Sequence, residues 1–182
     1  MNDLLGKTIE NPIIGDIVTY VHTANETNGE KTVLELKLFP GGGNGLHFHT
    51  AFDESFELIE GSLNVQVGNR KTKMAVGDKI TAGKNEPYRF FADSDKSGTF
   101  KITLVPGHAG FENALAIGYG LARDGETNKK GIPKFKYLPV LVTLSDTNMP
   151  GIFSMLGKYF ARRANKPKSI KLQEDLMKKY CQ

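Results

Sequence analysis

The chain has 182 residues, 39% of them hydrophobic and 24% charged, with a formal net charge of +4. That length suits one domain with room for an appendage, and the composition excludes wholesale disorder. The single cysteine, Cys181, excludes both an intrachain disulfide framework and a cysteine-based zinc site.

Residues 1–10 hold no apolar run of the secretory kind. The most apolar later run, Tyr137–Leu144, contains Pro139 and is too short to span a bilayer. The expectation is a soluble cytoplasmic protein with no membrane partner.

From Asp16 to Pro106 short apolar runs are punctuated by Gly, Asn and Asp. Candidate strands are Ile17–His22, Thr32–Phe39, Leu46–His49, Ser55–Ile59, Leu63–Val67, Lys71–Val76, Lys79–Ala82, Tyr88–Phe91 and Thr99–Val105. Leu34, Leu36 and Leu38 alternate onto one face, as do Leu63, Val65 and Val67. Period two marks a half-buried strand. Turn pairs at Gly61-Ser62, Gly68-Asn69, Gly77-Asp78 and Ser97-Gly98 leave no room for crossover helices. An antiparallel sandwich or barrel is expected.

After Gly107 the pattern changes. Phe111–Asp124 reads as a helix closed by Gly125, although Gly118 and Gly120 weaken it. Glu126–Pro133 reads as a loop. Pro150 is placed to open another helix with Ile152, Phe153, Leu156, Tyr159 and Phe160 on one stripe, and Ser169 to cap a last one carrying Leu172, Leu176 and Tyr180. Residues 1–110 carry 11 Lys/Arg against 14 Asp/Glu, while residues 111–182 carry 13 against 6. The basic half has no aromatic-interleaved motif and reads as a solvated helical face, so no nucleic-acid partner is expected.

Two of the four histidines stand as His47-Phe48-His49. Alternate residues of an extended chain project to one side, so both imidazoles reach the same space while Phe48 turns away. Glu54 follows His49 with four residues between them. Two imidazoles and a carboxylate suit a divalent first-row metal: iron, manganese, nickel, copper or zinc. If Glu54 points inward, Phe56 and Leu58 follow it by alternation, and Tyr88 brings Phe90. Phe52 either lines the entrance or packs. The pocket would be apolar and aromatic with a polar centre. His22 should end a strand at the surface, and His108 is a reserve ligand at best. Gly41-Gly42-Gly43-Asn44-Gly45 lacks the Lys-Ser/Thr of a phosphate loop and reads as a flexible loop leading to the histidines.

This text resembles the cupin superfamily. Its first motif, G-x5-H-x-H-x3,4-E-x6-G, is met at Gly41, His47, His49, Glu54 and Gly61. Its second, G-x5-P-x-G-x2-H-x3-N, opens at Gly77 but then places Gly83, Asn85, Tyr88 and Ala92 at the proline, glycine, histidine and asparagine. Asn for Gly is mild, because Asn tolerates a left-handed backbone. Tyr for His is not.

The resemblance implies a mainly β fold, a small antiparallel double-stranded β-barrel of the cupin or jelly-roll type followed by C-terminal α-helices. It covers the barrel, about residues 31–106; the residue pattern and the charge split set off an N-terminal arm and first strand (1–30) before it and a basic helical extension (107–182) after it. The resemblance also implies a metal on His47, His49 and Glu54, and a homodimer, since cupins often dimerise. Tyr88 either ligates as a phenolate, or donates a hydrogen bond to a metal-bound water or substrate, or marks an empty site. The leading expectation is a metal-dependent protein acting on or binding a small molecule, as an oxygenase or an isomerase. The alternative is a non-catalytic binding or sensing module with a degenerate site and no metal. One barrel hosts both, so the resemblance leaves open whether the chain is an enzyme.

Overall fold

The computed structural model describes residues 4–151 and 154–182, of which 154–156 by backbone only. Strand alternation is realised in β1 (Thr8–Asn11), β2 (Asp16–His22), β3 (Thr32–Leu38), β4 (Asp53–Gly61), β5 (Leu63–Val67), β6 (Arg70–Met74), β7 (Lys79–Ala82), β8 (Tyr88–Phe91) and β9 (Gly98–Val105). In β3 the alternation is literal: Leu34, Leu36 and Leu38 are buried while Glu35 and Lys37 face solvent. Each such leucine contributes roughly 2 kcal/mol of apolar burial.

The strands form two antiparallel sheets, ordered β1-β2-β3-β9-β4-β7 and β6-β5-β8. The class is mainly β and antiparallel, with C-terminal helices, as expected. The barrel is not closed, however, because no ladder joins the two sheets among the described residues. β1 was not expected. With one apolar residue, Ile9, its sequence carries almost no strand signal, and pairing with β2 at the sheet edge makes it a strand.

The expected strand Leu46–His49 is corrected to a loop with two isolated bridges, His47 to Tyr88 and Phe48 to Asn148. Adjacent residues pair with different neighbours, so no ladder can propagate. The preceding glycine loop is not free either. Asn44 Oδ1 accepts from the Phe90 amide at 2.9 Å, and a Cβ on Gly43 would meet Phe90 O at 2.6 Å. Glycine here permits close approach to β8.

Four helices follow: α1 (Ala109–Arg123), α2 (Leu138–Leu144), α3 (Ser154–Ala164) and α4 (Pro167–Tyr180). α1 ends at Asp124, with Gly125 at φ +70° as expected. α2 was not expected. Pro139, which argued against a membrane span, sits in its first turn, where a missing N–H costs nothing. Ser169 is not the cap of α4. Lys166 holds that place, because Pro167 supplies the preset first helical φ. Around the expected helix start at Pro150, Ile152, Phe153 and the Leu156 side chain lie outside the described residues; α3 is described from Ser154. One buried apolar cluster runs from Val18 and Leu34 through Phe100 to Ile117, Val140 and Leu176, so the helices share the core of the sheets.

Candidate functional site

The glycine loop, once pinned to β8, sets the backbone of His47 against Tyr88: His47 N–H donates to Tyr88 O at 3.0 Å and Tyr88 N–H to His47 O at 2.8 Å. His49 lies two residues on, its ring centroid 5.0 Å from that of His47. Glu54 enters from the start of β4, 3% exposed, with Phe56 and Leu58 inward after it. Tyr88 is buried on β8, and its hydroxyl donates to Glu54 Oε2 in a short hydrogen bond. His47, His49, Glu54 and Tyr88 are therefore neighbours.

The imidazoles share a polarity. His47 Nδ1 is 2.8 Å from Gly45 O, and His49 Nδ1 is 3.0 Å from Asp146 O. A carbonyl oxygen can only accept, so Nδ1 carries the proton in both rings and Nε2 keeps its lone pair. His49 Nε2 is buried without a hydrogen-bond partner and lies 3.6 Å from Glu54 Oε2. Burial pushes both histidines below their usual range, His49 to about 4, helped by the neighbouring His47. The rings are therefore neutral near pH 7. Burial raises Glu54 to about 7, against the lowering effect of the Tyr88 hydroxyl. Burial and the Glu54 carboxylate push the Tyr88 phenol well up, which makes it a donor.

Lone-pair nitrogens fixed by backbone carbonyls, beside a carboxylate, are the donor types that hold a first-row metal. Such donors fit the group. As they stand, no three His, Cys, Asp or Glu side chains among the described residues are gathered to hold an ion. The oxygen of Glu54 nearest His49 is already taken by Tyr88.

Asp146, in the turn after α2, was not singled out in the sequence. Its carbonyl orients His49, and its carboxylate accepts from the Thr50 amide at 2.5 Å, the Ala51 amide at 2.7 Å and the Thr50 hydroxyl at 2.9 Å. It adopts φ +51° to do so. Its only signal was a cluster of turn residues, Ser145 to Asn148.

The site opens on a cavity of about 460 Å³ between the sheets and the helical segment. His47, Glu54 and Phe90 line it, with Leu34, Leu36 and Ile102 from the sheet and Leu115 and Leu141 from α1 and α2. Of the other expected pocket residues, Phe52, Phe56 and Leu58 are in the core rather than the lining. Phe52 stacks on His49 at 4.4 Å between centroids, which fixes the ring rather than guarding an entrance. His108 is not a ligand, because its Nδ1 caps α1 by accepting from the Phe111 amide at 2.9 Å. His22 ends β2 at the surface and pairs with Glu26.

No family model matches the sequence, and no curated protein is similar to it. Among solved structures, an RmlC-like cupin from Shewanella frigidimarina is similar at 17% identity and a TM-score of 0.48, over 54% of this chain and 83% of that one. A predicted oxalate decarboxylase from Thermotoga maritima matches at 15% identity and 0.48, over 50% and 80%. A sugar phosphate isomerase from a cupin superfamily, from Silicibacter pomeroyi, matches at 23% identity and 0.44, over 51% of this chain and 60% of that one. These likenesses concern the fold of half the chain, and the chemistry of the site rests on its own geometry.

Proposed function

We propose that this chain is a cupin-type protein that binds a small molecule in the cavity beside His47 and Glu54, with a divalent first-row transition metal on His47, His49 and Glu54. The observation that carries this reading is the buried, partnerless Nε2 of His49, turned toward Glu54 Oε2 at 3.6 Å. An unsatisfied buried polar atom costs about 1–3 kcal/mol, and a bound ion would remove that cost.

The ion would supply a positive charge able to polarise an oxygen of the bound molecule. Phe52 and Asp146 hold the His49 ring in place, while the Gly45 carbonyl holds His47. Tyr88, kept protonated, donates its hydroxyl hydrogen to Glu54 and so orients that carboxylate at the cavity wall. Leu36, Phe90 and Leu115 give the bound molecule an apolar wall to pack against. Whether the bound molecule reacts, by oxygenation or isomerisation, depends on its identity.

A second reading is a binding or sensing protein with a degenerate site. The Tyr88–Glu54 hydrogen bond favours it, since that bond satisfies the carboxylate with no ion. Elemental analysis of the purified protein separates the two. About one equivalent of metal, lost in the His47→Ala/His49→Ala variant, is the expected outcome. No retained metal, and no rise in Tm on adding divalent ions, would leave the second reading standing. A homodimer belongs to the same proposal, and the mass of that preparation in solution checks it.

A further inference from the structure

The cavity has a second polar pole. Asp16, at the start of β2, is 4% exposed, and Tyr119, on α1, is 5% exposed. Both line the same cavity as His47 and Glu54. The Tyr119 hydroxyl donates to Asp16 Oδ2 at 2.5 Å, while Asp16 Oδ1 is buried with no hydrogen-bond partner among the described residues. Lys130, the basic residue in the lining, is exposed and makes no ion pair with Asp16 among the described residues. A carboxylate oxygen can only accept when ionised, so the vacant position calls for an N–H or O–H from outside the protein. Burial lifts Asp16 to about 6, so the ionised form still predominates at neutral pH.

We propose that Asp16, held by Tyr119, recognises a hydroxyl or ammonium group on the ligand, so that the cavity takes a small molecule with an apolar body and a hydrogen-bond donor. This rests on reading the cavity as a ligand site and adds the substrate class to it. Tyr119 is a positioning residue. By engaging Oδ2 it leaves Oδ1 for the ligand.

Three probes with one carbon skeleton test this on the full, metal-free chain: cyclohexanol, cyclohexylammonium and cyclohexanone. Calorimetric titration should show the alcohol, the ammonium or both binding at least about tenfold more tightly than the ketone, which leaves Oδ1 unpaired. Which donor wins distinguishes a hydroxyl ligand from a cationic one. Asp16→Asn presents an amide hydrogen instead of a lone pair and should abolish the ranking. Glu54→Gln tests whether the other buried carboxylate of the cavity sets the ranking instead. A ranking that survives Asp16→Asn, or that vanishes only in Glu54→Gln, overturns the proposal. If Asp16→Asn does not fold, the wild-type protein still decides: saturation with the tighter donor must shift the Tyr119 ring resonances, and unchanged resonances overturn it. Equal binding of all three sinks the role of Asp16 alone. Binding of none sinks the cavity as a ligand site, whereas the metal is judged separately by elemental analysis.

Discussion

Asp16 and Glu54 are carboxylates that folding removes from water without a lysine or arginine beside either among the described residues. Desolvation raises Asp16 from 3.8 to about 6 and Glu54 from 4.5 to about 7. A carboxyl whose folded value is raised holds its proton longer in the folded state. Its stabilising contribution is complete below the unfolded value and is lost as pH climbs through the folded one. His49, lowered from 6.5 to about 4, acts in the opposite sense and adds stability as pH rises through the same range. Asp16→Asn should therefore gain on the wild type by up to about 3 kcal/mol between about pH 4 and pH 7. Urea unfolding at several pH values measures this, and a difference that stays constant with pH counts against it. The same substitution should cost ligand discrimination, so stability and recognition would move in opposite directions at one residue.

Among elements, the connection after α2 governs the histidine loop. Asp146 gathers two amides and a hydroxyl from Thr50 and Ala51 and gives its carbonyl to His49. Asp146→Ala deletes the acceptors and leaves a Cβ-bearing residue at φ +51°, where Asn or Asp fares better. A loss of about 2 kcal/mol is expected, with weaker metal retention, because the His49 ring loses its anchor. Asp146→Asn should recover most of the stability. Equal loss in both variants would show that the charge, not the acceptor geometry, matters. Asn85, in the turn before β8, adopts φ +65°, as the ability of Asn to enter left-handed backbone allows.

At the scale of the whole molecule, the helical segment forms one wall of the cavity. α1 and α2 face β3 and β9 across it, and α4 secures α1 from outside. Gly120, which weakened the helix reading of α1, has a packing reason: a Cβ there would lie 2.2 Å from Tyr180 Cδ1. Gly120→Ala trades better helix propensity for a clash and should cost about 2 kcal/mol of stability, as overpacking does. Thermal unfolding checks it, and an unchanged or higher Tm would mean that α4 yields. Tyr180 also donates to Asp124 beside Lys179, so part of the basic charge of the C-terminal half is spent in joining helices. No helix among the described residues is long and apolar enough to cross a membrane.

Much of the β half was legible because alternation is a local property. Leu34, Leu36 and Leu38 declare a buried face whatever lies opposite, and the closeness of His47, His49 and Glu54 in the chain makes them neighbours in the fold without gathering them as a set of three ligands among the described residues. The sequence also sufficed for the turn at Gly77, where positive φ needs no distant partner to be favourable in glycine. Tertiary structure alone decided the rest. Asp16 and Tyr119 are 103 residues apart, and Asp146 and His49 are 97 apart, so neither pairing leaves a periodic trace. The sheets likewise stop short of a closed barrel, and the cavity gains a helical wall, because burial is settled by which surfaces meet across the folded chain. Local pattern tells a residue to leave water; only the completed fold determines what it finds there.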